Sequence, residues 1–329
     1  MTLSYDRRAA PELMAALMPG GFAHSLVEYG RTQPLDLQLR GYSGKQGHWA
    51  TLYAGLTKVL DLHYRPTNAG DRFRLNAHQK YTVAKKGWRP AWQKAQPAEQ
   101  LADEWTAVED YLERAIPAVV ARFLKEGAVQ SAISGFASSD MVVIDREACV
   151  TFSNQAEKKR VTGALARPLL SAVAPRRGAA AWWKTVPARL GGECDAVAID
   201  ANGDVLAIEI KPAGATTTIR WAPLQVRHYT NLFTAWIKQT KDAGDVLKGM
   251  VDQREKLGLV RKRPPTPPGA TGIKKPITVR PVVAIGRLHS KAALAGLKEV
   301  QQRLVHAGLN DPPLEICSVT FAGRLDPIA

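Results

Sequence analysis

Residues 191–212, GGECDAVAIDANGDVLAIEIKP, hold two apolar, β-branched runs joined at Asn202-Gly203, and a β-hairpin is the local structure that accommodates them. The pattern predicts strands over 193–200 and 205–211. Side chains alternate faces along a strand, so Asp195, Val197 and Ile199 share one face and Cys194, Ala196 and Ala198 the other. On the second strand Val205, Ala207, Glu209 and Lys211 share a face, backed by Leu206, Ile208 and Ile210. Loop length then decides whether the acids meet. A two-residue turn would pair Asp195 with Ile210 and send the carboxylates to opposite faces, whereas a three-residue loop, Ala201 to Gly203, pairs Asp195 with Glu209. The three-residue loop is expected, with Gly203 at positive φ.

An Asp and a Glu brought to one spot offer hard oxygen ligands to a divalent cation. A Lys beside them can orient or deprotonate a water, or offset charge on an anionic transition state. That equipment suits phosphodiester hydrolysis. The bare spacing, Asp then acid-x-Lys, arises about once by chance in a chain of this length, so the context carries the weight. Glu209 stands in a run apolar enough for a central strand, where a carboxylate without a metal or partner is costly. The competing reading is a surface hairpin whose acids and Lys211 only form ion pairs. Ionisable groups in buried settings favour the functional reading.

This arrangement resembles the PD-(D/E)xK nuclease superfamily, the restriction-endonuclease-like fold, in which a strand Asp is followed by a hairpin and by acid-x-Lys on the next strand. Asp195 and Glu209-Ile210-Lys211 stand at those positions. On the helix expected next, Gln225-Val-Arg-His-Tyr229 is similar to the Gln-x-x-x-Tyr element of the RecB-like branch. Gln225 and Tyr229 are four apart, so they share a helix face, which continues through Leu232, Phe233, Trp236 and Ile237 toward the sheet. Motif support spans about residues 152–240.

The resemblance implies an α/β class protein with a restriction-endonuclease-like mixed sheet flanked by helices. It also implies a metal-dependent DNA endonuclease, acting on duplex or single-stranded DNA and leaving a 5′-phosphate and a 3′-hydroxyl. Mg²⁺, or Mn²⁺ in its place, would be held by Asp195, Glu209 and the carbonyl of Ile210, with Glu157 as the candidate for the helix-borne acid that many members carry. Glu157 is in register with Val161, Ala164 and Leu165 and so should face inward. Asn154 and Glu157 equally have the spacing of a capping box, and both readings stay open. Glu193 is another possible helper. Lys211 would position the attacking water, and Gln225 and Tyr229 would orient the strand or the Lys. The alternatives are a catalytically inactive nucleic-acid-binding or assembly protein on the same fold, and a nuclease acting on RNA. A double-strand cut needs two sites, which a homodimer would supply.

Charge points to the same partner class. The chain carries 45 Lys and Arg against 30 Asp and Glu, a net charge of +15, which favours a polyanion. Three windows hold no acid at all. They lie between Asp71 and Glu99, Glu157 and Glu193, and Glu255 and Glu299, with 7, 8 and 10 basic residues. The first interleaves Arg72, Arg74, Lys80, Lys85, Lys86 and Arg89 with Phe73, Tyr81, Trp88 and Trp92. Its cations are expected to contact phosphates; its rings either stack on bases or belong to a core. The third includes Arg261, Lys262 and Arg263 in a Pro- and Gly-rich stretch that reads as an exposed loop gripping a backbone or serving as a connector.

At 329 residues and 45% hydrophobic the chain suits two domains, an N-terminal α+β domain over 1–150 and the nuclease domain over 151–329. In the first, strands are expected at 35–40, 49–53, 56–64 and 73–83, then a helix from Ala98 interrupted at Pro117. Met141 to Phe152 reads as a hairpin. In the second, Trp182 to Leu190 is expected as the first core strand, Ile277 to Ile285 as a later one, His289 to Ala307 as a helix and Leu314 to Phe321 as a closing strand. The GYSGKQG stretch at 41–47 lacks P-loop spacing and reads as a turn. His228 either nears a phosphate or is bonded in the core. Three scattered cysteines and the lack of a signal or membrane segment lead to a cytoplasmic expectation, with no membrane partner.

Overall fold

The computed structural model describes residues 3–41, 47–68, 70–122, 125–135, 141–175, 181–260, 273–287 and 290–328. The chain divides into two compact units. One is Met1–Tyr5, Asp140–Asp245 and Pro265–Ala329; the other is Asp6–Ser139 and Val246–Pro264. Each unit therefore takes residues from both sides of a cut near 150.

The first unit is built on a six-stranded mixed sheet: β1 (Met141–Ala148), β2 (Cys194–Asp200), β3 (Val205–Lys211), β4 (Val279–Gly286), β5 (Glu315–Val319) and β6 (Leu325–Pro327). Spatial order follows chain order. Neighbours are antiparallel from β1 to β3, parallel from β3 to β5, and antiparallel again at β6. Parallel neighbours need crossover connections. Helix α2 (Thr216–Gln239) lies in the connection after β3, and helix α3 (Lys291–His306) in the one after β4; helix α1 (Gln155–Ala172) stands between β1 and β2. Ser290 caps α3 by accepting from the Ala293 N–H, and Ala293, Leu297, Val300 and Leu304 bury one stripe of it. All seven residues of β3 are buried, as expected for a strand with partners on both sides.

Trp182 to Leu190 is not a strand. Ala181–Thr185 is a 3₁₀ turn, and the rings of Trp182 and Trp183 stack with centroids 4.3 Å apart. Successive side chains on one side are incompatible with strand alternation, and both rings pack near Trp221, 5.4 Å away in each case. The sheet begins instead with β1, inside the stretch read as a hairpin. Thr151–Phe152 pairs with Leu3–Ser4, not with β1. Tyr5 packs edge-on against Phe233 and Trp236. Among the described residues no helix is long and apolar enough to cross a membrane.

The second unit holds a four-stranded antiparallel meander, Leu35–Arg40, His48–Ala54, Thr57–Thr67 and Gly70–Asn76. The last strand stops at Asn76, short of the expected Val83, and a 3₁₀ turn follows at Ala84–Lys86. Pro117 lies within the helix Trp105–Val120 and does not interrupt it. It falls in the final turn, and the carbonyl left without a donor belongs to exposed Glu113, where water can serve. Phe73, Tyr81, Trp88 and Trp92 are buried, and Trp88 and Trp92 pack at 5.4 Å from each other. The rings of the first basic window are thus core, and the base-stacking reading is set aside. One sheet face is polar yet buried, with Gln38 donating to Asp36 at 2.7 Å and Thr51 to Asp61 at 2.5 Å. Late sequence completes this unit: Arg254 donates to the Leu37 carbonyl at 2.9 Å, Gln253 bonds both the N–H and the carbonyl of Ala9, and Leu257 and Leu259 enter the core.

Candidate active site

The hairpin loop fixes the register. Ile199 pairs with Val205, Ala198 with Leu206, Val197 with Ala207 and Ala196 with Ile208, so the next step places Asp195 opposite Glu209. The loop is the three-residue one, and Gly203 has φ +81°. Asp200 builds it, its Oδ1 accepting from the N–H groups of Asn202 and Asp204, both at 2.9 Å. At that end of the sheet Arg280 donates to Asp200 at 2.6 Å and to Glu315 at 2.5 Å, tying the loop to β4 and β5.

At the other end the three charged residues converge. The Lys211 ammonium contacts Glu209 Oε1 and lies 3.9 Å from Asp195 Oδ2, while the Ile210 N–H donates to Asp195 Oδ2 at 2.7 Å. Glu209 is 1% exposed, and beside it on β4 stands Val283, itself buried. The Asp195 side chain is 28% exposed and is the open edge of the group. Beneath, on the opposite sheet face, Cys194 is fully buried; burial drives its thiol pKa well up, and Asp195 and Glu209 add to the effect.

Helix α2 brings the other expected pair to this place. Burial pushes the Tyr229 hydroxyl well above the tyrosine range, with Glu209, Cys194 and Asp195 raising it further, and a side-chain hydrogen bond with Gln225 acts the other way. Gly191 makes room for that hydroxyl, since a Cβ there would lie 2.9 Å from it. His228, on the same helix, is buried, and neither ring nitrogen has a hydrogen-bond partner among the described residues. Burial lowers its pKa to about 4. It is a core histidine.

Glu157 is engaged as a helix cap. Its N–H donates to Asn154 Oδ1 at 2.8 Å, its carboxylate accepts from the Ser153 N–H and hydroxyl, and Arg160 lies 3.9 Å away. The capping reading therefore describes its contacts. Glu193 is exposed. Among the described residues no group of three or more His, Cys, Asp and Glu gathers as a metal site. A cation at the hairpin would rest on Asp195, Glu209, the Ile210 carbonyl and water. That all-oxygen set fits Mg²⁺, which commonly keeps several waters.

Two acids on β1 escaped the sequence reading. Asp145 is fully buried, pairs in register with Val197 on the Asp195 face, and accepts from the Tyr5 hydroxyl at 3.1 Å. Glu147 has φ +48°, the single non-glycine positive φ among the described residues, and lies between Arg146 and Ala148, whose partners are Ala196 and Cys194. Its register position is thus beside Asp195. The signal was the two-residue spacing of Asp145 and Glu147 after an apolar run. In the first basic window Arg74, Lys80, Lys85 and Arg89 are exposed and Arg72 and Lys86 half-buried. Arg89 pairs with Glu104 at 3.3 Å, and Lys86 bonds the Arg114 carbonyl. Arg261, Lys262 and Arg263 lie outside the described residues, as do 42–46 of the turn at 41–47. Comparisons with protein-family models, curated proteins and solved structures return no match to this chain.

Proposed function

We propose that the protein is a metal-dependent nuclease of restriction-endonuclease-like fold that hydrolyses phosphodiester bonds in DNA at the Asp195, Glu209 and Lys211 site. The observation that carries the reading is the convergence of these three groups at one end of a buried hairpin, in the register set by a three-residue loop. Nothing in the packing of a hairpin requires a carboxylate at 1% exposure; such a group is retained at a cost of several kcal/mol unless its charge is used.

Asp195 and Glu209, with the Ile210 carbonyl, would hold Mg²⁺ or Mn²⁺. When bound, the ion would polarise the phosphate and make water nucleophilic near neutral pH. Lys211 would hold the attacking water and offset charge on the phosphorane-like transition state. Tyr229 and Gln225 would fix the position of the carboxylates or of the strand. Asp195, the exposed edge of the group, is where substrate would enter.

One observation favours a second reading, an inactive nucleic-acid-binding protein on the same fold: the Lys211 ammonium already contacts Glu209 and lies 3.9 Å from Asp195, and no group of three or more His, Cys, Asp and Glu gathers as a metal site among the described residues. Incubating the protein with supercoiled plasmid, single-stranded DNA and a matched RNA, with Mg²⁺, Mn²⁺ or EDTA, separates the readings. Metal-dependent cleavage lost in Lys211→Ala and Asp195→Ala, both still folded, supports the nuclease. Binding without cleavage under every condition supports the second reading, and cleavage of RNA alone reassigns the substrate.

A further inference from the structure

Helix α1 turns one long face outward. Gln155, Lys158, Thr162, Ala166 and Leu170 fall at spacings of three and four, and with Ala174 just past the helix end they wall a groove of about 1070 Å³ whose far side is Ala188–Leu190. Lys158, Lys159 and Arg167 project along it from the helix, and Arg189 stands on the opposite wall. Between Glu157 and Glu193 the sequence has no acid. None of the four cations has an ion-pair partner among the described residues. A helix face that only kept the protein soluble would mix signs; this one does not.

The floor is shaped for close approach. Gly163 and Ala166 occupy its middle, and a Cβ at Gly163 would meet nothing within 4 Å. A glycine inside a helix costs about 1 kcal/mol relative to alanine, and here it leaves space in the groove and supports no packing. The helical part of that wall, Gln155 to Ala172, is about 26 Å long at ~1.5 Å per residue. That matches roughly eight nucleotides at the ~3.4 Å spacing of a stacked strand. The groove also leads somewhere. Its far wall runs directly into Gly191 and Gly192. A Cβ on Gly192 would sit 3.9 Å from the Lys158 side chain, and three residues later comes Asp195.

We propose that this groove binds a single nucleic-acid strand by its phosphates and delivers it to Asp195. The assignment deepens the nuclease reading and rests on it for the direction of travel, while binding itself needs neither metal nor hydrolysis. A strand can lay its phosphates along the cations of one helix face, and the matching duplex is the competing occupant that the test separates. Four cations along a strand predict a salt dependence of affinity with a log–log slope of about −2.8, at ~0.7 per phosphate contacted.

The test is fluorescence anisotropy with a 12-nucleotide labelled DNA strand in EDTA, across a salt series. The variants are Lys158→Ala/Arg167→Ala and Gly163→Glu. The second places an acid in the open floor and improves helix propensity, so a folding defect is not its expected effect. Both should weaken binding at least tenfold with unchanged or higher melting temperatures, and the double variant should lower the salt slope by about 1.4. Wild-type affinity in both variants overturns the proposal. So does equal competition by poly-glutamate, or tighter, variant-sensitive binding of the matching duplex. Strand binding that the variants lose, in a protein that never cuts, keeps the groove and removes the nuclease. Metal-dependent cutting with binding untouched by the variants does the reverse.

Discussion

Replacing Lys211 by Met tests whether the buried carboxylate is held as an anion by its neighbour. The ammonium contacts Glu209 and lies 3.9 Å from Asp195. At about 4 Å and an effective dielectric near 20, each attraction is worth roughly 4 kcal/mol before desolvation is counted. Asp195 is partly solvated, so its share is smaller; Glu209, at 1% exposure, has little water to turn to. Removing one partner of a buried pair typically costs about 3–5 kcal/mol. At ~2–4 °C per kcal/mol, the lower figure lowers the melting temperature by about 6–12 °C in EDTA. Adding Glu209→Gln removes the stranded charge, and the double variant should recover most of that loss, a coupling of about 2–3 kcal/mol. Mg²⁺ should then raise the melting temperature of Lys211→Met more than that of the wild type, where the ion competes with the ammonium. Calorimetry in EDTA and in Mg²⁺ reads all three. A Lys211→Met melting temperature within 1 °C of wild type, or a double variant no better than the single, refutes the reasoning.

His228, neutral in the fold with a pKa near 4 against 6.5 when unfolded, makes stability full above about pH 6.5 and drains it as pH falls toward 4, by roughly 3 kcal/mol in all; His228→Leu should flatten urea-denaturation midpoints over that window. Gly203→Ala, at φ +81°, should cost about 1–2 kcal/mol in the same assay. Trp92→Ala should destabilise by about 3–5 kcal/mol in urea, whereas Arg74→Ala, on the surface of the same unit, should leave the midpoint unchanged. Glu147→Gly should relieve a left-handed residue and gain about 1 kcal/mol; a melting temperature that falls would mean the Glu147 side chain stabilises the fold.

The hairpin was readable because three local rules agreed: β-branched alternation, an Asn-Gly turn, and acids whose placement made sense in only one register. The first three meander strands of the second unit were readable from alternation and turn residues, the fourth only in part, and Val279–Gly286 and Lys291–His306 fell close to expectation. Failures came where local pattern and tertiary packing diverge. The aromatic run at Trp182 looks like a strand until the two rings are seen stacked on one side against Trp221. β1 was hidden because a bulge between Val143 and Asp145 breaks its period, and its continuation pairs with residues at the N-terminus. Glu157 was undecidable by spacing, since a capping box and an inward-facing acid share the same interval. The basic groove was visible as a charge imbalance but needed the helix face and the returning segment to become a place.

Val246–Pro264 joins the unit formed by Asp6–Ser139, and this has a consequence for synthesis. The ribosome releases the meander first, but Gln253, Arg254 and Leu257 emerge more than a hundred residues later. Ala9 and the Leu37 carbonyl lie 244 and 217 residues before their partners, so at ~5–20 residues per second they wait roughly 10–50 s. A fragment ending near residue 150 would never receive them. A fragment starting at 140 would lose Leu3, Ser4 and Tyr5, which pair with Thr151–Phe152 and pack on Phe233 and Trp236, and would carry a segment whose leucines belong to the other unit.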